Sequence, residues 1–265
     1  MIYIGAKIKL LLASICTLLV LSIDSEAQQV KIGKPVVEPS KILDDVMHWL
    51  YYDRDYLRLS EDFIAYDQTL KPITKDRLLE KVASGGYLPL RLMSDNGSII
   101  YKLYKMPVST KSDIKAVIKD YGSTRYKYYQ KEGKKLPHFN FVDLNGKKYN
   151  EASTKGKIVV FKFWFVACVP CIQEMPELNK LVANYKNRKD ILFISLALDD
   201  KKKLRDFLKK TRFDYAIVPD QEPYISNILK INAYPTHLII NKKGLVAKVG
   251  DADLIFKELK KEAAL

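Results

Sequence analysis

Phe163-Trp164-Phe165-Val166-Ala167-Cys168-Val169-Pro170-Cys171-Ile172-Gln173-Glu174-Met175-Pro176 is the stretch on which the fold turns. It begins inside a nearly unbroken apolar run, residues 157–165, rich in β-branched and aromatic side chains. Such a run predicts a central strand buried on both faces. A helical pattern follows over about residues 169–186, with Met175, Leu178, Leu181 and Val182 on its inner face. The cysteines therefore fall where a strand ends and a helix begins. A thiol in that place faces unpaired backbone N–H groups and the positive end of the helix dipole, which favour the thiolate. Two intervening residues let the second sulfur reach the first within one turn. Pro170 fits the first turn, where its missing N–H costs little.

Outward from this stretch, the chain alternates strands and helices from Leu136 onward. Residues 139–144 alternate in polarity, and Asn145-Gly146 turns the chain into 147–149. Residues 191–198 read as a second buried strand, and Asp199 or Asp200 can cap a helix over 201–210. Strands over 236–240 and 245–249 are joined by a hairpin at 241–244, and a closing helix covers 253–261. The pattern predicts a compact α/β layer fold.

Before residue 136 the pattern differs. Residues 28–39 look extended and loose. Ile42, Val46, Trp49 and Leu50 mark one helical face, and Thr74 can cap a second helix ending at Gly85-Gly86. Strands over 87–93 and 99–106 flank the turn Asp95-Asn96-Gly97. A further helix over 112–121 is stopped by Gly122, and the polar stretch 130–135 marks a boundary. We expect a small α+β domain over 28–133 and a second domain over 134–265. The first segment holds 11 of the 17 tyrosines. Core and inter-domain packing accounts for them better than a nucleic-acid platform does.

The N-terminus predicts export. Lys7 and Lys9 precede an apolar stretch from Leu10 to Leu21, too short for a span of about 20 residues. Ser25-Glu26-Ala27 then offers small residues where a signal peptidase reads, so 1–27 is expected to be a signal peptide. The localisation that follows is the periplasm, with no transmembrane span after cleavage. An uncleaved inner-membrane anchor is the alternative. Cleavage removes Cys16 and leaves Cys168 and Cys171, three apart, which in an oxidising compartment suits a redox or metal pair better than a structural staple.

Composition narrows the classes further. With 48% hydrophobic and 29% charged residues, the 265-residue chain is globular. Its net charge of +14 divides as +6 over residues 28–135 and +8 over 136–265, so the sequence shows no single basic patch. Together with export, this argues against a nucleic-acid partner.

The opening stretch resembles the active-site segment of thioredoxin-like proteins, and among them the exported bacterial TlpA/ResA group of thiol–disulfide oxidoreductases. Phe163-Trp164 precedes the cysteine pair at that group's spacing, and Glu174-Met175-Pro176 follows it. Pro176 stands where thioredoxins kink this helix. Tyr234-Pro235-Thr236 lies where the family places its cis-proline, and residues 136–146 look like the group's N-terminal hairpin. The resemblance runs from Leu136 to Leu265. It implies a thioredoxin-like domain, a central mixed sheet flanked by helices, behind the small α+β domain.

The resemblance also implies roles. Cys168 is the nucleophile and Cys171 resolves the mixed disulfide, so the two form a redox-active pair. Glu174 carries protons or tunes Cys171, and Pro235 shapes the loop beside the pair. Trp164, Ala167, Pro170, Tyr234 and Thr236 form the substrate groove. No cofactor is implied. The partners are disulfide-bearing envelope proteins and a membrane thiol electron donor. Such relatives keep apocytochrome cysteines reduced for haem attachment or serve general envelope thiol reduction. Val169-Pro170 lacks the His of strong oxidases, which favours a reductant.

Two departures stand out. Ala167 replaces the usual Trp, leaving a less bulky rim. Lys162 occupies the place of a buried Asp in thioredoxin, often an Asn in the TlpA group. It either points toward the sulfurs and lowers their pKa values or snorkels to the surface. The alternatives to the redox function are a copper or zinc site built from Cys168, Cys171 and His237, and a redox-silent scaffold. His237 reads better as a packed histidine, and the intact Cys168, Cys171 and Pro235 argue against a scaffold. Haem attachment fails because Ile172 follows Cys171. Peroxiredoxin-type chemistry would need a Thr at Phe165.

Overall fold

The computed structural model describes residues 32–265, so the expected leader, 1–27, lies outside the described residues. The described residues open with β1 (Ile32–Pro35), α1 (Pro39–Ile42), α2 (Val46–Tyr56), β2 (Ile64–Tyr66), β3 (Pro72–Ile73) and α3 (Lys75–Ala83). It continues with β4 (Tyr87–Ser94), β5 (Ile100–Lys105) and α4 (Ser112–Tyr129). These strands form one sheet in the order β1-β4-β5-β2-β3. Thr74 caps α3 by accepting from the Arg77 N–H, and Gly97 takes a φ of +77° in the turn between β4 and β5. Both features follow the sequence pattern.

Three expectations in this half need correction. Part of the stretch expected to be loose is β1, paired antiparallel with β4. The helical face around Trp49 is split: Ile42 belongs to α1, and Leu50 faces solvent while Trp49 and Tyr52 are buried. Gly122 does not stop a helix, because α4 runs through it to Tyr129. It is the point where α4 touches α3, since a Cβ there would lie 2.6 Å from Val82 Cγ1 and 2.8 Å from the Val82 carbonyl carbon.

The rest of the chain holds β6 (Asn140–Val142), β7 (Lys148–Asn150), α5 (Glu151–Thr154), β8 (Ile158–Trp164), α6 (Val169–Gln173) and α7 (Met175–Asn184). Then come β9 (Ile191–Ala197), α8 (Lys201–Leu208), β10 (Ala216–Val218), a π-helical turn (Pro223–Ile228), β11 (Thr236–Ile240), β12 (Val246–Gly250) and α9 (Ala252–Ala264). The sheet order is β10-β9-β8-β11-β12. β10, β9 and β8 run parallel, while β11 is antiparallel to both β8 and β12. With helices flanking this mixed sheet and the β6–β7 hairpin ahead of it, the fold is thioredoxin-like.

All seven residues of the central β8 are buried. Burying a large apolar side chain is worth about 1.5–3 kcal/mol each, so this strand anchors both faces of the sheet. One face packs Val159, Phe161 and Phe163 with Phe141 and Tyr224; the other packs Val160 and Trp164 with Met175, Leu178 and Ile255. The N-terminal half has its own core around Trp49, Leu79, Tyr101 and Ile114. Tyr128 at the end of α4 is the exception, because it packs into the core of the C-terminal sheet. Lys248 of β12 links the halves by pairing with Asp62 and Glu132, each at 3.1 Å.

Candidate functional site

The chain leaves β8 at Trp164 and reaches α6 through a short turn. Asp199 fixes that turn, its carboxylate accepting from the Val166 N–H at 2.6 Å. Cys168 is the N-cap residue of α6, with extended backbone, and its N–H donates to the Phe165 carbonyl. Pro170 lies in the first turn, as expected. Cys168 and Cys171 are joined by a disulfide. Cys168 is 5% exposed and Cys171 fully buried, so Cys168 is the sulfur nearer to solvent.

The helix pauses at Glu174, which ends α6 and begins α7. Pro176 explains the break, because it has no N–H to give the Ile172 carbonyl and its ring crowds the preceding turn. Glu174 is three residues beyond Cys171, hence on the same helical face.

Beneath this helix a polar row crosses the sheet. Ser195 of β9, Lys162 of β8 and His237 of β11 lie side by side in register. All three are fully buried. Adjacent residues in register point to the same face of a sheet, and here that face is the layer beneath the cysteine helix. Lys162 donates its ammonium to Glu174 Oε1, and His237 Nε2 lies 2.9 Å from the same oxygen. Lys162 therefore does not snorkel to the surface. It stays inside because its charge finds a carboxylate there.

The electrostatics of this trio follow from burial and pairing. Burial pulls the Lys162 pKa down from its ordinary value, while Glu174 works in the opposite direction. Burial pushes the Glu174 carboxyl up, but the hydrogen bond from His237 and the Lys162 charge outweigh it and hold the group below its usual range. Burial also lowers His237, although Glu174 opposes it. His237 Nδ1 is buried without a partner among the described residues. A second proton there would leave a buried N–H unanswered, so the neutral ring with Nε2–H toward Glu174 fits the site. Tyr215 OH and Ser195 Oγ are also buried without partners among the described residues.

The loop before β11 closes the other side of the site. The Tyr234–Pro235 peptide bond is cis. The Tyr234 ring packs edge-on against Phe165 at 5.5 Å between centroids, just ahead of Cys168. Ala167, Val169 and Pro170 are exposed around Cys168, and Tyr234 and Pro235 are half-buried. These residues make an apolar rim.

Two expected groove residues do not belong to that rim. Trp164 is fully buried between Phe207 and Phe213, at centroid distances of 5.4 and 5.7 Å. Thr236 is 3% exposed, and its hydroxyl donates to the Ala233 carbonyl and contacts the Tyr128 OH. In both cases strand alternation decides, since each side chain points into a core. His237, weighed as a metal ligand with the cysteines, is packed and turned to Glu174. The reading of the sequence missed Asp199 as the anchor of the active-site turn. It also missed the pairing of Lys162 with Glu174. The signal for that pairing was present, because a lysine inside an otherwise apolar strand requires a buried counter-ion.

Residues 133–249 match the AhpC/TSA family. A thiol-disulfide oxidoreductase ResA of Bacillus cereus is 34% identical over 132 residues, 47% of this chain and 76% of that protein. The thioredoxin-like protein YneN of Bacillus subtilis is 29% identical over 136 residues, 51% of this chain and 79% of that protein. Among solved structures, a thiol-disulfide oxidoreductase from Bacteroides fragilis covers 48% of this chain and 98% of its own at 21% identity, with a TM-score of 0.44.

Proposed function

Because the chain belongs to the ResA/TlpA-type family of thioredoxin-like thiol–disulfide oxidoreductases, we propose that it is an exported enzyme that reduces disulfides of envelope proteins through Cys168 and Cys171. The observation that carries this reading is the Cys168–Cys171 disulfide at a helix start, with Cys168 the more accessible sulfur. In the reduced enzyme, the Cys168 thiolate attacks a substrate disulfide. A Cys168–substrate bond forms, the substrate S–S bond breaks, and the leaving sulfur takes a proton. Cys171 then gives up its proton and attacks Cys168, which closes the protein disulfide and frees the second substrate thiol. Two electrons and two protons pass to the substrate.

Glu174 is the acid–base group in this scheme. Its Oε1 holds Lys162 and His237, and its side chain is 18% exposed. Oε2 is thus left to pass the Cys171 proton toward solvent. Lys162 and His237 act through Glu174, by keeping it ionised and in place, rather than on the sulfurs directly. Ala167, Pro170, Tyr234 and Pro235 shape the surface on which substrate backbone lies beside Cys168.

The wider setting belongs to the same proposal. The leader over 1–27 directs the chain to the periplasm, a membrane thiol protein supplies electrons, and apocytochrome or other envelope disulfides are the substrates. Residues 28–133 form a separate α+β domain that serves partner selection. The separate core around Trp49 and Tyr101 supports that division.

The test is the redox equilibrium of residues 28–265 against dithiothreitol or glutathione buffers, read by thiol trapping with Cys171→Ser as control. A reversible two-electron couple near or below about −270 mV is expected for an envelope reductant. A couple near about −120 mV would recast the protein as an oxidant. The absence of any reversible couple would end the enzyme reading.

A further inference from the structure

The fold brings a distant lysine to a run of four. Lys127 in the last turn of α4 and Lys131, Lys134 and Lys135 just beyond it meet Lys230, which lies just after the π-helical turn, around a solvent-open groove of about 600 Å³. That size is within the range of about 300–1,000 Å³ typical of ligand sites. Among the described residues no acidic residue lines the groove. Glu132 is the one acid between Lys127 and Lys135, and it is turned away to Lys248. Among the described residues none of the five lysines makes an ion pair, although Lys162, Lys180, Lys203, Lys209, Lys248 and Lys257 all do. Lys131 is half-buried, and burial together with Lys134 and Lys127 lowers its pKa.

Helix-end electrostatics account for only part of this. Lys127 and Lys131 complement the negative end of α4. Lys135 and Lys230 lie outside that turn and add to the charge with no ion-pair partner among the described residues. Leu136, Pro137, Ile228 and Leu229 add apolar surface to the lining, and Ile228 is 49% exposed there. A concave surface of this kind favours an anionic partner that also carries apolar groups.

The groove shares the segment that leads into the cis-proline, while Val246, bonded to Gly133 and Lys134, places its other end opposite Ile240, four residues along β11 from Thr236. Asn232 lines it and lies three residues before Pro235. The helix that carries Lys127 is tied to the same loop, because the Tyr128 OH lies 3.1 Å from the Thr236 hydroxyl. We propose that this groove docks an acidic peptide segment of the disulfide-bearing substrate. The inference rests on the reductase reading above and adds a substrate class to it.

The test compares the wild-type chain with a Lys127→Gln/Lys131→Gln/Lys230→Gln variant. The probes are a disulfide-bridged peptide flanked by Glu and apolar residues, its counterpart with Gln for Glu, and 2-hydroxyethyl disulfide. The wild-type protein is expected to reduce the Glu peptide roughly tenfold faster than the Gln peptide at low salt, the lower end of electrostatic steering. High salt should erase most of that preference. In the variant the two peptides should react alike, with the hydroxyethyl disulfide rate unchanged.

Equal rates for the two peptides in the wild type would overturn the proposal, and so would a preference that survives in the variant. Binding of the same peptides with Ser in place of Cys decides the matter even if 2-hydroxyethyl disulfide is not reduced, which would be a failure of the enzyme reading alone. If the triple variant does not fold, Lys131→Gln and Lys230→Gln singly should each cut the preference. Wild-type binding to phosphatidylglycerol vesicles but not to the Glu peptide would assign the groove to a membrane surface instead.

Discussion

His237 of β11 stands directly across from Lys162 of β8, and the two end on the same oxygen of Glu174. Neither strand residue has any solvent exposure. A buried cation is tolerated only when its counter-ion is in place. The pair of strands thus fixes the position of a carboxylate on the helix above, next to the disulfide.

That dependence predicts an asymmetric stability cycle. Glu174→Gln leaves the Lys162 charge buried without its partner and should cost about 3–5 kcal/mol in urea unfolding at neutral pH. Lys162→Met should cost less, because Glu174 is partly exposed and keeps the His237 hydrogen bond. The double variant Lys162→Met/Glu174→Gln should recover most of the loss. A Glu174→Gln cost within about 0.5 kcal/mol of zero, the range of an ordinary surface change, would refute the pairing.

His237 predicts a pH dependence. Its folded pKa lies below the ordinary value of about 6.5, because burial opposes the charged ring. Below about pH 6.5 the unfolded chain binds a proton that the folded chain resists. Stability should therefore fall as pH drops from 6.5, by up to about 1.4 kcal/mol per pH unit for this one group. His237→Gln keeps a donor for Glu174 but does not titrate, so it should flatten that segment of the curve. Glu174 adds its own loss at lower pH, as the depressed carboxyl finally protonates. An unchanged slope between pH 6.5 and 5.5 in His237→Gln would show that the ring is not the source.

The sequence was most legible where one physical rule dominated. The apolar run of β8, the capped start of α3 and the glycine turns at Gly97 and Gly146 each had a single reading, and each appears in the structure. Reading failed where tertiary contact overrides local preference. Gly122 looks like a helix stop in isolation, yet it is a contact with Val82 of α3. Trp164 looks like a groove residue from its place near Cys168, yet strand alternation sends it into the core. The lysine groove was invisible because Lys230 and Lys131 lie far apart in the chain and meet only through the fold. The short β10 and the π-helical turn carry too few residues to show a period.

Gly122 supplies a structural prediction. A methyl group there would press on Val82 Cγ1 and on the α3 backbone at once. Gly122→Ala should therefore destabilise the protein by about 1–3 kcal/mol, as overpacking does, despite the better helix propensity of alanine. Adding Val82→Ala removes the side-chain clash but not the backbone one, so rescue should be partial. A stabilised Gly122→Ala variant, followed by urea unfolding, would mean that α3 and α4 do not touch at this point.

The two cysteines should separate in reactivity once reduced. Cys168 caps a helix and borders the exposed residues Ala167 and Val169, whereas Cys171 is fully buried in the following turn. The helix start favours the Cys168 thiolate, and the exposed turn around it admits small reagents. Iodoacetamide should label Cys168 of the reduced protein before Cys171. Reduced Cys171→Ser should accumulate a mixed disulfide with a peptide substrate, because the sulfur that would resolve it is gone. Cys168→Ser should form little of this adduct, because the remaining thiol is out of reach. Mass spectrometry of both variants after mixing with the peptide reads the outcome directly. If Cys168→Ser traps substrate as well as Cys171→Ser does, the order of attack is reversed, and Glu174 would then stand beside the attacking thiol rather than the resolving one.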